Sequence, residues 1–452
     1  MKKIAIIITV LSFIITSEAV ESQGPMLSFA SVWNKINQDS AAQESSRLQT
    51  ESLTESQKKA SHHWLPKIYI DAKTYQTNAP GASFFGLLEQ RAVQASDFNP
   101  DLINQPEAKS YARGALGIDL PLYEGGMKSS QVDLFKHSVA AQKNATSQVQ
   151  IEQYSSVGLS YGSISVLEQQ KNKLQALSSE VSRMIKGYQL GSKSNPVGYS
   201  GLLGMKSLAN RLSGLISQHE AQSRSYYAAL SEMGLKDQQW SPEIIDSSLF
   251  VSRYFPVSDQ PEAISSSYKI ESAKENVKAS AEMANMEKAK FLPRVGAFAE
   301  TAVFNGSRDT ANAYTAGLYL QWNLFDPSAY GSLKEAKLKS MSATKYSEAL
   351  DQQERAERSA LSEQFKSLKQ NIDLLNDSYK LLAEQSKMTE TLFKNGSINA
   401  LQIVEILSRR ADLISQQGEA ELGLIKTASQ IVTKQKFDVE APIQAGVKNE
   451  KQ

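Results

Sequence analysis

The sequence predicts a mixed α and β fold, built as a duplicated unit of long coiled-coil helices plus β-hairpins. Three observations carry this. Landmarks recur in the same order in two halves of the chain, heptad seams run for dozens of residues without Pro, and short strictly alternating segments lie between them.

The repeat comes first because it sets the boundaries. Trp64-Leu65-Pro66-Lys67 recurs as Phe291-Leu292-Pro293-Arg294, and Leu122-Tyr123-Glu124 recurs as Leu324-Phe325-Asp326. Tyr188-Gln189-Leu190-Gly191-Ser192 recurs as Phe393-Lys394-Asn395-Gly396-Ser397. The spacing between first and second landmarks is longer in the first half, which therefore carries about 25 extra residues between its two strands. The expected organisation is an export signal at 1–19, a first structural repeat at 20–235 and an inter-repeat segment at 236–262. A second repeat at 263–437 and a tail at 438–452 follow.

At the N-terminus, Lys2 and Lys3 precede an apolar run from Ile4 to Ile15, and Ser17-Glu18-Ala19 places small residues at the −3 and −1 positions of a cleavage site. That is the pattern of a cleaved secretory signal peptide, too short to span a bilayer easily. No later stretch reaches the ~18 consecutive apolar residues of a transmembrane helix. The chain has no Cys, which excludes disulfides, thiol chemistry and a lipidated Cys. Lys and Arg total 49 against 48 Asp and Glu, a balance that gives no reason to expect a nucleic-acid partner.

Each half reads helix, strand, strand, long helix, tight break, long helix. Leu361, Phe365, Leu368, Ile372, Leu375, Tyr379 and Leu382 follow the alternating 4-3 spacing of a heptad seam, which packs helices lengthwise. Leu174, Leu177, Val181, Met184 and Tyr188 run similarly in the first half. A continuous helix from Lys128 to Gln189 would be about 93 Å long. Gly191 and Gly396 stand where one helix ends and the next begins, as a left-handed terminating residue requires. Pro66 and Pro293 close the preceding helices, and Pro327 suits the first turn of the next. The first half departs here, with Pro121 inside the strand end and Gly125-Gly126 after it. The segment 237–262, with Pro242, Pro256 and Pro261, lacks periodicity and reads as a packed linker. The chain after Phe437 is expected to be loosely ordered.

Four segments alternate. Leu116, Ile118, Leu120 and Leu122 share one face, as do Leu318, Leu320, Trp322 and Leu324, and Ile68 and Ile70 face away from Lys67, Tyr69, Asp71 and Lys73. The strand at 295–303 is less clean, because Phe298 falls on the polar side. Such alternation fits a lipid-facing, lumen-lining strand, and equally a half-buried soluble hairpin. Asp71, Lys73, Asp119, Gln321 and Asn323 are the candidate lumen residues. Four strands cannot close a barrel, and lipid tolerates no open edge, so strands in a membrane would need other chains. Two chains would give a filled interior, whereas three leave room for a conduit. The long connection from Pro80 to Ser110, against the short one from Asn305 to Asn312, suits a barrel rim.

These features resemble the TolC-type outer-membrane efflux and secretion channels, over about residues 27–437. The resemblance rests on Leu65-Pro66 and Leu292-Pro293 at the helix-to-strand junctions, the run from Leu120 to Gly126, and the Tyr/Phe-x-x-Gly-Ser tips. It implies a homotrimer with a twelve-stranded β-barrel in outer-membrane lipid, above a helical-barrel tunnel through the periplasm. It also implies a periplasmic adaptor and an inner-membrane transporter as partners, an efflux pump or type I secretion system as the setting, no cofactor and no enzymatic activity. Gly191, Ser192, Gly396 and Ser397 would be the adaptor-docking tips. Gln402 and Glu405 match the pore-entrance positions, and only Glu405 keeps an acid. Phe393, Ile398 and Val197 replace the polar latch of the family, which implies a gate held by apolar packing. Glu405 also sits one helical turn from Arg409, so an ordinary i,i+4 pair is the competing reading.

Catalytic signals are missing. Four histidines without Cys offer no zinc spacing, and the His62-His63 pair stands alone. Neither a phosphate-binding loop nor a nucleophile elbow occurs. The rival readings are a periplasmic adaptor, which would need one hairpin set between lipoyl-like β modules where this chain duplicates a helix-rich unit, and a structural coiled-coil tether, which would not need alternating strands.

Overall fold

The computed structural model describes residues 25–188, 196–236, 240–255, 257 and 266–449. The described chain begins with β1 (Met26–Leu27), α1 (Phe29–Gln38) and α2 (Ala41–Ser61). β2 (Lys67–Thr77) and β3 (Lys109–Glu124) follow, separated by an excursion that holds α3 (Pro80–Glu89), a 3-10 turn (Ala95–Phe98) and α4 (Pro100–Asn104). α5 (Met127–Gly187) and α6 (Pro196–Glu232) complete the first half, and β4 (Ser241–Pro242) and α7 (Ser247–Tyr254) connect the halves. The second half runs α8 (Tyr268–Ala289), β5 (Arg294–Asn305), β6 (Thr310–Gln321), α9 (Pro327–Lys394) and α10 (Ala400–Val432), and α11 (Glu440–Asn449) ends it. The order helix, strand, strand, long helix, helix thus occurs twice. α5 has 61 residues and α9 has 68, hence lengths of about 92 and 102 Å. Among the described residues no helix is long and apolar enough to cross a membrane.

The two halves share one sheet. Its order is β2-β3-β5-β6, all antiparallel, so the repeats join through β3 and β5, and β2 and β6 are left as edges. Local chemistry sets the junctions between sheet and helices. Before α9, the Asp326 carboxylate accepts hydrogen bonds from the Ser328 and Ala329 amides, with Pro327 at the first position. The first half reaches the same corner differently. Its ladder slips between Pro121 and Tyr123, and Gly125 and Gly126 both take positive φ (66° and 81°). A Cβ on Gly125 would lie 2.6 Å from the Ala289 carbonyl oxygen, so this corner excludes larger residues.

The principal core lies where the helices meet the connecting segment. Phe29 and Trp33 of α1, Tyr154 and Tyr161 of α5, and Phe250, Tyr254 and Phe255 around α7 are fully or almost fully buried against one another. Their rings meet mostly edge to face, with Phe29 and Tyr254 4.7 Å apart. The two buried tyrosines of α5 reach polar partners: Tyr154 donates to the Tyr254 carbonyl at 2.9 Å and Tyr161 to the Leu27 carbonyl at 2.9 Å. Gly158 and Gly162 lie beneath Phe255 and Phe250, where a Cβ would meet the rings at 2.4 and 2.8 Å. The small residues of α5 are therefore what seat the connection.

Three sequence expectations need correction. The segment 80–110 is not a plain loop, because Pro80 and Pro100 each open a helix. The connection 237–262 contains a helix, capped by Asp246, although eight residues are too few for a visible period. The tail is ordered through α11, and Val439 and Ile443 are buried in the principal core. Its apolar anchors are too sparse to read as periodicity.

A second cluster runs down the heptad seams. It joins Leu174, Leu177, Val181 and Met184 of α5, Met205, Leu208 and Leu212 of α6, and Ile403, Leu407 and Ile414 of α10. Between the two clusters lies a buried polar layer. Gln170 donates to Glu421 at 2.8 Å, Lys173 to Gln417 at 3.0 Å, and Gln417 to Asn376 at 2.6 Å. Burial raises the pKa of Glu421 above the ordinary carboxylate value, and nearby Lys173 only partly offsets it. The folded chain therefore binds this proton more tightly than the unfolded chain does. The contribution is present at low pH and is lost as pH rises through the raised value. Glu421→Gln should flatten the fall in melting temperature as pH rises above the ordinary carboxylate range. An identical pH profile in thermal melts of wild type and variant would contradict this.

Candidate functional site

The four-stranded sheet has two unlike faces, and the register assigns every residue to one of them. Ile68 pairs with Ile118, Ile70 with Leu116, Ala297 with Leu318 and Val295 with Leu320, which makes one face apolar. The opposite face carries Asp71, Lys73, Tyr75, Tyr111, Arg113, Asp119 and Glu300. In a soluble sheet the apolar side would be covered. Here it is bare among the described residues: Ile70 is 80% exposed and Leu318 75%, while the polar face ranges from a buried Ala115 to an Asp71 side chain 55% exposed.

The polar face is cross-linked. Arg113 of β3 reaches Asp71 of β2 at 3.0 Å and also bonds Glu300 of β5, while the Tyr69 hydroxyl donates to Glu300 at 3.2 Å. Tyr319 donates to Asp119 at 3.4 Å. Aromatic rings on this face lie over glycines of the neighbouring strand: Tyr69 over Gly117, Tyr319 over Gly296 and Phe298 over Gly317. That explains Phe298, the residue that spoiled the alternation. Its ring fills the space left by a missing side chain rather than breaking the pattern.

Of the predicted lumen residues, Asp71, Lys73 and Asp119 fall on the polar face, with Lys73 over the Tyr75 ring at 5.1 Å. Gln321 is on the same face at the helix end of the sheet, opposite Arg294. Asn323 is not part of the strand, since the ladder ends at Gln321 and the chain is already turning toward the Asp326 cap. Sequence reading missed Arg113, Glu300, Tyr69 and Tyr319 as a network. Their alternation with Asp119 was visible, but the link between β3 and β5 is set by pairing across the repeats.

The sheet end remote from the helices carries the excursion. Asp97 makes a two-point ion pair with Arg308 of the β5–β6 turn at 2.5 and 2.6 Å. Arg308 pushes the Asp97 carboxyl down to about 2, so the pair stays ionised at ordinary pH. The side chain of Gln90, 1% exposed, accepts from the Arg308 and Asp309 amides at 3.2 Å each.

At the other end of the molecule are the helix tips. Gly191 and Ser192 lie outside the described residues. Gly396 has φ of +71° and terminates α9, where the Ser397 amide bonds the Leu392 carbonyl at 2.9 Å and the Gly396 amide bonds the Phe393 carbonyl at 3.0 Å. This is a Schellman turn. Tyr188 and Phe393 stack 5.9 Å apart, with planes 7° from parallel. Ile398 and Val404 pack on the same cluster, so the near-tip contacts are apolar, whereas Val197 is exposed. Gln402 has a structural duty: it exchanges hydrogen bonds with the Asn399 cap, each 3.1 Å, in a capping box. Glu405 is exposed and pairs with Arg409 at 2.5 Å, a surface pair worth about 0.3–0.5 kcal/mol. Among the described residues no cluster of three His, Asp or Glu side chains could hold a metal ion. His62 only ends α2, and His63 Nδ1 lies 3.0 Å from the Ala60 carbonyl.

No family model matches the sequence. No curated protein matches it either. The fold nevertheless has solved counterparts. CusC, whose crystal structures concern folding and transmembrane channel formation, is 11% identical with a TM-score of 0.75, over 90% of this chain and 92% of that one. The outer-membrane channel CmeC of Campylobacter jejuni is 11% identical with a TM-score of 0.70, over 94% and 89% of the two chains. The outer-membrane protein VceC of Vibrio cholerae is 12% identical with a TM-score of 0.68, over 91% and 97%. At these identities the likeness is one of fold: this chain has the fold of those channel subunits, in agreement with the mixed α and β class expected from its repeats.

The Gly396 turn yields a direct expectation. An L-residue with a side chain is strained at this φ, so Gly396→Ala should destabilise the protein by about 1 kcal/mol. Gly396→Asn should cost less, because Asn tolerates the left-handed region. Equal melting temperatures for wild type and Gly396→Ala would show that the turn relaxes freely.

Proposed function

We propose that the chain is one subunit of a homotrimeric outer-membrane channel that conducts substrates from an inner-membrane transporter across the periplasm and outer membrane. The observation that carries this reading is the two-sided sheet, with its apolar face exposed, its polar face cross-linked by its own side chains and both edges open. Burying a large apolar side chain is worth roughly 1.5–3 kcal/mol, so a face this apolar is costly in water. Lipid would cover it at no such cost. Strand length agrees: β2 has 11 residues, about 36 Å when extended and about 26 Å of membrane depth at a 45° tilt. That matches the ~25 Å apolar band of such barrels.

The open edges set the assembly. Unpaired backbone groups at β2 and β6 cannot face hydrocarbon, so each must pair with a neighbouring chain. Three copies give twelve strands around a conduit, with the network of Arg113, Asp71 and Glu300 lining it. The long helices would then extend the conduit through the periplasm. Light scattering of the detergent-purified protein should give three times the chain mass. A water-soluble monomer that needs no detergent would refute the channel reading.

The tips, with Gly191-Ser192 in the α5–α6 connection and Gly396-Ser397 after α9, are proposed to meet a periplasmic adaptor, because α5 and α9, the longest helices, end on that side away from the sheet. Efflux of small molecules and type I secretion of proteins both fit this arrangement. At the entrance, three copies of Glu405 would form an acidic ring, as charged rings do in other pores. Arg409 is held close enough to each carboxylate to moderate its field. In planar bilayers, Glu405→Gln should reduce cation preference, while Arg409→Gln should increase it. Unchanged selectivity in both variants would leave the pair as ordinary helix surface.

A further inference from the structure

The excursion between β2 and β3 is folded onto one particular side of the sheet. Gly86 of α3 sits against the Tyr111 ring so closely that a Cβ would come within 2.5 Å of it. The Tyr111 hydroxyl donates to the Ser83 carbonyl at 3.1 Å, and Tyr111 is 4% exposed. Tyr111 pairs with Tyr75 in the register, two residues from Arg113, and so belongs to the polar face. α3 therefore crosses the polar face, leaving the apolar one bare.

It is also held across the sheet, not only at its own strands. Arg308 grips Asp97 and the Ala92 carbonyl, and Gln90 caps the β5–β6 turn, where a Cβ on Gly306 would strike its side chain. Arg91, with φ of +54°, extends to the Asn312 carbonyl at 3.1 Å. These contacts tie the excursion to both hairpins. The side of α3 turned away from Gly86 and Gln90 carries Phe85 and Leu88, 63% and 43% exposed, and Phe98 and Leu102 add further exposed apolar surface.

We propose that this excursion is a lid over the outer mouth of the channel, three copies of which meet through Phe85 and Leu88 around the symmetry axis. The inference rests on the polar face being the lumen side. If it is, a segment lying on that face projects toward the axis, and what it meets there is the same segment of the other two subunits. Burying Phe85 and Leu88 among their own copies accounts for apolar side chains that neither the sheet nor lipid covers. The ion pair of Asp97 and Arg308 would hold each lid to its wall.

Two measurements on the full-length protein decide it. The chain contains no Cys, so Phe85→Cys introduces a single thiol per subunit. A bifunctional thiol cross-linker should join Phe85→Cys subunits within the trimer, while Leu318→Cys on the apolar face should stay unjoined. In planar bilayers, replacing residues 78–108 by a short Gly-Ser turn should raise single-channel conductance severalfold, and Arg308→Ala should raise it partway or add open-level flicker. Channels whose conductance is the same with and without the excursion would overturn the lid while leaving the channel reading intact. Absence of conductance in every preparation, wild type included, would instead overturn the channel reading and the lid with it.

Discussion

Backbone hydrogen bonding at the two sheet edges is the constraint on which the rest of this structure depends. β2 and β6 each present an unpaired row of donors and acceptors, and the face they border is apolar and bare. A protein stable in water covers such edges with helices, charges or bulges. Among the described residues nothing covers the apolar face. The polar face, by contrast, is ordered by a charged network from β2 through β3 to β5 and by aromatic rings seated on glycines. One face of the sheet is thus cross-linked by its own side chains, and the other face and both edges are left without partners among the described residues.

The helical part is organised around the need to support that sheet from far away. α5 and α9 run from the sheet corners to the tips without interruption. Their midpoint is anchored by the aromatic core, which takes contributions from the N-terminal helix, the connection between halves and the C-terminal helix. Below it, the buried polar layer around Gln170, Gln417 and Glu421 separates this core from the heptad seam. A purely apolar seam could slide by a turn at small cost. Buried hydrogen-bonding partners make such a slip expensive, because each would be left unsatisfied.

The helix ends differ in what stabilises them. At the tips, apolar packing between Tyr188, Phe393 and Ile398 does the work, and the polar residues nearby serve the backbone: Gln402 caps α10 and Glu405 pairs with Arg409 on its own helix. At the opposite end, the excursion is held by charge and hydrogen bonds, through Arg308, Asp97 and Gln90. A sheet end fixed by directional polar bonds and helix tips fixed by apolar contact have different physical controls. The first responds to the loss of single partners, the second to changes in packing volume.

Much of this was legible from residues alone, and the reason is local. Heptad spacing, strand alternation, and Pro and Gly at junctions act within a few turns of chain, so α5, α9, the four strands and the Gly396 turn could be read from periodicity and turn chemistry. Short helices without a full period were not legible, which is why the excursion, α7 and α11 were expected to be irregular. Nor could the sequence say which polar residues meet. Arg113 lies 187 residues from Glu300 and joins it only because β3 pairs with β5 across the repeat. Phe298 looked like an error in its strand until Gly317 was placed beneath it. Spacing along the chain determined the elements and their two faces. Only the tertiary structure decided which side chains of a face meet, because such contacts depend on strands and helices brought together from distant parts of the chain.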